Sequence, residues 1–374
     1  MSVTRISAQD ALEQLAQFSV IDARSESEFE LDRLPGAANW PSLHDDERVR
    51  VGTLYKQVSP FEAKKLGAAL VAKNIGQHIE REVLDKPKNW RPLIYCWRGG
   101  QRSSSLALVL GQIGFHAHVI EGGYKAFRAA MLEDLSNLAS RLDYRVVCGP
   151  TGSGKTRLLH ALAHAGAQVL DLEGLARHRA SVLGLIPGQP QPSQKRFDTL
   201  IWEALRGFDT SRPVYVEAES KRVGNVTLQD SLVDAVRNSP CLRLDLPEES
   251  RVALLLEDYP FFVSDPELFC SRLDALIELR GRAVIEAWKA LVRAGQYEPV
   301  VRELLSKHYD PGYASSTQRL FSQFGTASVV ATLNWNKETL ALKCVEILAA
   351  EKAEKTDNVG RVEQGEPGAE VKPG

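Results

Sequence analysis

The sequence predicts an α/β protein of two modules, with a helical C-terminal part to the second. Three observations carry this. Two short apolar runs in the first 130 residues break into Gly-rich or polar turns; a third runs into Gly149-Pro-Thr-Gly-Ser-Gly-Lys-Thr156; and leucines recur at helix spacing after Pro247. An apolar run that ends in a polar turn and gives way to a 3.6-residue period reads as a buried strand feeding a helix. With 374 residues, 44% hydrophobic and 25% charged, the chain fits two or three domains of ordinary globular type.

The elements follow in order. Residues 18–22 and 92–96 read as strands, 102–112 as a helix with Gly111 and Gly114 near its end, and 116–120 as a short strand closed by Gly122-Gly123. Residues 1–130 form the first domain, and 131–143, the end of a helical stretch that begins at 124, form a connector helix. The second domain spans 144–350, with strands at 144–148, 167–172, 213–217 and 241–246, and a mainly helical pattern from 247 to about 350. The tail, 351–374, is rich in Glu, Lys, Gly and Pro and almost free of large apolar residues, so it is expected to be disordered.

Composition removes several function classes. No apolar run nears the ~18 residues of a membrane span, and the N-terminus has no signal-peptide apolar core. Cys96, Cys148, Cys241, Cys270 and Cys344 are scattered without a CxxC pair. The expectation is a cytoplasmic protein with no membrane partner, disulfide scaffold or structural zinc. The net charge is −2 and neither module is basic overall, so a nucleic-acid partner must meet a local patch.

The first chemical constellation is Cys96-Trp-Arg-Gly-Gly-Gln-Arg-Ser103. Between a strand and a helix, loop N–H groups converge and the helix N-terminus adds positive potential, which favours an anion and a thiolate nucleophile. Gly99 and Gly100 let the backbone curl around an anion that Arg98 and Arg102 can neutralise. Val20-Ile-Asp-Ala-Arg24, Glu28-Phe29, Leu34-Pro-Gly-Ala-Ala-Asn39 and Val119-Ile-Glu-Gly-Gly-Tyr124 resemble a rhodanese domain, whose loop cysteine carries sulfur or selenium. The loop here is one residue longer than in common single-domain rhodaneses. Cys-x5-Arg is also the phosphatase spacing, so the pocket should admit a tetrahedral oxyanion. Asp45 and Asp46 could serve a phosphatase as general acid, and both chemistries stay open at this point.

The second constellation is the P-loop. In Gly149, Thr151, Gly152, Ser153 and Gly154 the backbone wraps a diphosphate, Lys155 reaches its terminal phosphates, and the Thr156 hydroxyl can bind Mg²⁺. Cys148 reads as core. Glu217 and Glu219, at a strand end, are candidate partners of the magnesium. Asp171, Arg177, His178 and Arg179 follow another strand and face the same end of the sheet, which makes them second-site candidates. Lys195-Arg196 and Lys221-Arg222 read as surface charge; His308-Tyr-Asp-Pro-Gly-Tyr313 reads equally as a binding loop or a helix stop. Trp40, Trp90, Trp202, Trp288 and Trp335 read as core or interface.

Taken together, the cysteine loop, the P-loop, Asp171-Leu-Glu-Gly-Leu-Ala-Arg-His-Arg179, Gln191-Pro-Ser-Gln194, Val216-Glu-Ala-Glu-Ser220 and His308-Tyr-Asp-Pro311 closely resemble the bacterial tRNA 2-selenouridine synthases. The resemblance covers roughly residues 3–345. It implies a rhodanese-like domain fused to a P-loop NTPase-like domain, and conversion of wobble 2-thiouridine in tRNA to 2-selenouridine. Geranyl diphosphate would first alkylate the sulfur, and selenium from selenophosphate would then replace it. Cys96 would take selenium as a selanyl group with release of phosphate, while Arg98, Gly99, Gly100, Gln101, Arg102 and Ser103 hold the selenophosphate. The P-loop is expected to hold the diphosphate of geranyl diphosphate rather than ATP. No tightly bound cofactor is implied, and Mg²⁺ is a candidate ion at the P-loop; the partners are tRNA and a selenophosphate-supplying enzyme. The rival readings are an ATP-dependent tRNA sulfurtransferase, a non-catalytic nucleotide switch with an oxyanion sensor, and a phosphatase–kinase fusion.

Overall fold

The computed structural model describes residues 3–363 apart from Ala180 and Val182, and describes Ala314, Ser315 and 354–363 by backbone alone. In the first module β1 (Thr4–Ile6), β2 (Ser19–Asp22), β3 (Ala38–Asn39), β4 (Pro92–Tyr95) and β5 (His118–Ile120) make a parallel sheet in the order β1-β5-β4-β2-β3. Both sheet faces are covered, as a parallel sheet requires. The strands alternate accordingly: Ile21, Ile94 and Val119 point to one core, and Val20, Leu93, Tyr95 and Ile120 to the other. The helices are α1 (Ala8–Glu13), α2 (Glu26–Leu31), α3 (Asp45–Gln57), α4 (Pro60–Glu82) and α5 (Gln101–Ile113). Gly114, at φ +114°, ends α5 in the left-handed conformation that glycine adopts without a Cβ clash.

The segment expected as a connector is the last part of one continuous helix, α6 (Gly123–Arg141). Its buried residues Tyr124, Phe127, Met131, Leu135 and Ala139 recur three or four apart, the spacing of one helix face. Around α6 a single core joins Val20, Leu93 and Ile120 of the first sheet to Val146, Val214 and Val216 of the second.

The second sheet comprises β6 (Tyr144–Cys148), β7 (Gln168–Leu170), β8 (Val214–Glu217), β11 (Cys241–Asp245) and β12 (Ser328–Ala331), all parallel, in the order β12-β11-β6-β8-β7. A hairpin, β9 (Arg222–Val223) with β10 (Val226–Thr227), lies apart from it. The helices α7 (Lys155–His164), α8 (Leu172–Ala176), α9 (Gln194–Arg206) and α10 (Asp230–Arg237) are interspersed with the strands. After β11 come α11 (Glu248–Asp258), α12 (Pro260–Ser264), α13 (Pro266–Leu273), α14 (Ile277–Arg280), α15 (Arg282–Arg293), α16 (Tyr297–Leu304) and α17 (Asp310–Leu320), with a π-helical turn at Leu305–Tyr309. Helix α18 (Lys337–Glu363) packs on α7.

Two expectations need correction and one strand is added. The stretch after 247 is mainly helical as expected, but it also holds a strand the sequence did not predict, Ser328-Val-Val-Ala331, which forms the edge strand β12 beside β11; four residues show no readable period. The strand expected at 167–172 stops at Leu170, since the Asp171 side chain accepts from Gly174 N and caps α8. The chain does not lose structure at 351. Helix α18 continues to Glu363, and Glu351 pairs with Arg145 at 2.6 Å. Glu351-Lys-Ala-Glu-Lys355 cannot build a core, yet these are strong helix formers that extend a helix already anchored. Residues 364–374 lie outside the described residues.

Phe127 is 2% exposed and meets Trp202 of α9 edge-on at 5.9 Å. Phe127→Ala is expected to destabilise the whole chain by about 3–5 kcal/mol. Because α6 serves both sheets, calorimetry should record one shifted transition; a first module that melts alone would contradict the shared core.

Candidate active sites at two strand ends

The first site grows from β4. The carbonyl of Cys96 accepts from Tyr124 N at 2.8 Å and that of Trp97 from Lys125 N at 3.1 Å, so the start of α6 ties down the loop. The approach is close. A Cβ on Gly123 (φ +60°) would lie 2.3 Å from the Cys96 oxygen, and one on Gly99 (φ +64°) 2.7 Å from the Ile120 oxygen. Both positions demand glycine. Cys96 is 3% exposed, and its Sγ accepts from Gly100 N and from Ser103 Oγ, each at 3.2 Å. Arg98, Gly100 and Gln101 are exposed on the rim.

Arg102 differs from expectation. It does not await an anion alone; it binds Glu28 through Nη1 at 2.6 Å and Nη2 at 3.3 Å. Burial works to raise the Glu28 pKa, but the hydrogen bond and charge of Arg102 outweigh it and hold the carboxylate below its ordinary value. Beneath the loop Arg24 and Asp22, 1% and 0% exposed, form a 2.6 Å pair, and the Arg24 guanidinium also stacks 4.2 Å from the Tyr124 ring centroid. Asp45 bonds Ser27 rather than reaching the cysteine loop.

The second module reaches the same loop. Lys195, at the start of α9, sits 5.0 Å from the Trp97 ring centroid, and the Arg196 guanidinium donates to the Arg33 carbonyl at 3.4 Å. These two residues, read as surface charge, face the first module. Lys221 and Arg222 are surface residues: Lys221 pairs with Asp230, and Arg222 donates to the Gly224 carbonyl.

The second site grows from β6, the central strand. Thr151, Gly152, Ser153, Gly154, Lys155 and Thr156 line a cavity of about 330 Å³ together with Asp171, His178, Arg179 and Glu219. Lys155 Nζ donates to the Gly149 carbonyl at 2.9 Å, which folds it back over the loop. Trp335 Nε1 donates to Ser153 O at 2.6 Å, and a Cβ on Gly154 (φ +85°) would strike its indole at 2.4 Å. Arg251, 7% exposed, donates to the Thr151 carbonyl at 2.8 and 3.0 Å and pairs with Asp310 at 2.6 Å. Asp310 thereby gives the His308–Tyr313 segment a part in bracing the P-loop.

Carboxylates gather beside Thr156. Its Oγ1 donates to Glu173 Oε2 at 3.3 Å, and Glu173 N donates to Glu217 Oε1 at 2.7 Å. Glu217 is 2% exposed, and its Oε2 is buried without a hydrogen-bond partner among the described residues. Burial first, then the charges of Asp171, Glu173 and Glu219, raise its pKa well above the ordinary value. Among the described residues no three His, Cys, Asp or Glu side chains form a metal cage. The set does fit a magnesium ion, which takes oxygen ligands and is held through one or two carboxylates plus substrate phosphates.

Two second-site expectations change. Arg177 does not line the cavity; it ends α8 with φ +49° and is exposed. His178 lies on the wall but is 5% exposed, and burial lowers its pKa, so it is a neutral packing residue. Arg179 stays at the site, donating to the Asp258 carbonyl at 2.6 Å and stacking on Tyr259. Sequence reasoning did not single out Glu173, Arg251 or Asp258. Glu173 was within reach, being the third residue of the Asp171 motif.

Glu219 offers a pH test. Burial and the Glu173 charge, opposed by Lys155, push its pKa up to about 8. The folded chain then binds more protons than the unfolded one between the ordinary value of 4.5 and about 8, so stability falls as pH climbs through that window. In EDTA, Glu219→Gln is expected to narrow the Tm difference between roughly pH 6 and pH 9 by about 2 °C or more. An unchanged difference would remove Glu219 from the carboxylate cluster.

Comparison with known proteins follows this geometry. A family profile for the tRNA 2-selenouridine synthase AAA domain matches residues 142–271, and one for the rhodanese-like domain matches 7–130. The chain is 39% identical to the tRNA 2-selenouridine synthase of Nitrosomonas europaea over 66% of its own length and 64% of the relative's. For the enzyme of that name from Alcanivorax borkumensis the figures are 37%, 64% and 66%. Both alignments thus span a little under two thirds of those relatives. With the Shewanella piezotolerans protein of the same name, identity is 31% over 90% of this chain and 89% of the relative. The chain belongs to the tRNA 2-selenouridine synthase family, with a rhodanese-like domain followed by a P-loop domain.

Proposed function

We propose that the chain converts 2-thiouridine in tRNA to 2-selenouridine in two steps, geranylation of the sulfur and then its replacement by selenium. The observation that carries this reading is the pairing, in one folded unit, of two glycine-rich strand-to-helix loops, of which the first carries a cysteine and the second carries none. Cys96 has two donors 3.2 Å from its sulfur; the P-loop has a lysine and a braced backbone but no thiol on its cavity wall. The names of the relatives support the same reading.

In the first step the P-loop amides and Lys155 would hold the diphosphate of geranyl diphosphate. The thiouridine sulfur bonds the allylic carbon, the carbon–oxygen bond breaks, and diphosphate leaves with the electron pair. Lys155 and the loop N–H groups stabilise the charge that develops on it. Magnesium bound through Thr156 and a neighbouring carboxylate would supply further positive charge at that point.

In the second step selenophosphate would sit against Arg98, the Gly99–Gly100 backbone and Arg102. Electron balance separates two routes. Selenium has the same oxidation level in selenophosphate and in the product. Direct attack at carbon 2, with departure of the geranylthiolate and later hydrolysis of the selenium–phosphorus bond, therefore releases phosphate without an oxidant. A selanyl group on Cys96 is two electrons more oxidised: it forms by attack of the thiolate on selenium only if phosphorus leaves at the phosphite level, and its attack on carbon 2 leaves a selenium–sulfur bond to Cys96 that a thiol reductant must then cleave. Mass spectrometry of the Cys96 peptide and the identity of the released oxyanion distinguish the routes.

The reading as a whole is tested by incubating the full chain with a 2-thiouridine tRNA, geranyl diphosphate and selenophosphate. Nucleoside mass spectrometry is expected to find the geranylated base first and selenouridine later. Unaltered thiouridine throughout would reject it.

A further inference from the structure

A second cavity opens off the P-loop site. The two share Thr151, Ser181, Leu255 and Tyr259, and Leu255 packs on the loop itself: a Cβ on Gly152 would lie 3.0 Å from its side chain. Beyond that doorway the wall is hydrocarbon and aromatic, with Leu256, Phe262, Val301, Leu304, Leu305 and Tyr309 prominent. Two of its hydroxyls are already engaged. Tyr297 donates to the Val263 carbonyl at 3.1 Å, and Tyr309 bonds Ser181. Such a predominantly apolar wall is poorly suited to reading a nucleotide base or ribose.

Two features tie this cavity to phosphate binding. It is bordered by the π-helical turn Leu305–Tyr309, whose first and last residues both line it; such turns recur at functional sites. The next residue, Asp310, holds Arg251, which holds the Thr151 carbonyl. The tail-side wall and the anion cradle are therefore one connected piece. An anion site that opens directly onto an apolar slot suits an amphiphile with a diphosphate head.

We infer that this cavity receives the hydrocarbon chain of an isoprenyl diphosphate whose diphosphate lies on the P-loop. The inference rests on the proposed function above. The slot is narrow, about 50 Å³, with Phe262 and Phe269 on its wall stacked at 4.7 Å, so a chain that enters must widen it. Chain length then governs affinity, because each buried methylene adds to binding.

The test is calorimetric titration of the full chain, with magnesium, using inorganic diphosphate, dimethylallyl diphosphate and geranyl diphosphate. Geranyl diphosphate is expected to bind at least about tenfold more tightly than dimethylallyl diphosphate. Val301→Phe, which fills the slot, should erase that preference while inorganic diphosphate still binds. Should Val301→Phe misfold by circular dichroism, Leu256→Ala serves instead: by widening the slot it should shift preference toward the fifteen-carbon farnesyl diphosphate. Equal binding of the two isoprenyl diphosphates by wild type overturns the inference, as does a preference that neither variant alters. Lys155→Ala keeps the two levels apart. If it loses all three ligands while wild type ignores chain length, only the cavity assignment fails; if it binds them unchanged, the P-loop reading fails too.

Discussion

Cys96→Ser is expected to abolish selenium incorporation, by about 10³-fold or more, while leaving the geranylated base to accumulate. The oxygen of serine fits the same space, and the donors from Gly100 N and Ser103 Oγ remain. What disappears is the polarisable thiolate, the nucleophilic form of cysteine, on which the selanyl route depends; direct attack by selenophosphate would instead survive the change. Arrest at the geranylated nucleoside, read by mass spectrometry, would assign the two steps to different loops. Loss of both steps would place Cys96 in a single shared site, and full activity would remove it from the chemistry.

The second large effect is expected from Lys155→Ala. Its ammonium folds onto the Gly149 carbonyl at 2.9 Å and is the P-loop group able to neutralise a departing diphosphate. Removing a positioned charge that acts on a developing anion costs roughly 3–4 kcal/mol, or about 10²–10³ in rate. Geranylation should fall by that factor. Pre-geranylated tRNA should bypass the defect, so the variant would still exchange selenium when given that substrate. A variant that fails on pre-geranylated tRNA as well would show that the P-loop serves the second step also.

Much of this was legible in the sequence because the reactive groups lie on contiguous loops. Cys96 to Ser103 and Gly149 to Thr156 each need only one strand, one turn and one helix to become a cradle, and local pattern predicts all three. Partners contributed from a distance were not legible. Glu28 meets Arg102 across 74 residues, and Asp310 meets Arg251 across 59; no local period encodes such pairings. The tryptophans illustrate the intermediate case. Trp40, Trp202, Trp288 and Trp335 are buried as their reading required, but that Trp335 presses on Gly154 follows only from the fold. The His308 motif stayed undecided for the same reason, since its partner lies on α11.

Helix α6 also fixes a phase. Its first residues grip the cysteine loop, and its last lead directly into the P-loop strand. Its 19 residues set an axial offset of about 28 Å and a defined rotation between those two attachments. One residue inserted on its solvent-facing side would advance everything downstream by about 1.5 Å and turn it by about 100°. The register of this one rod therefore governs the bearing of one reaction centre relative to the other, as the splines on a shaft govern the two wheels it carries.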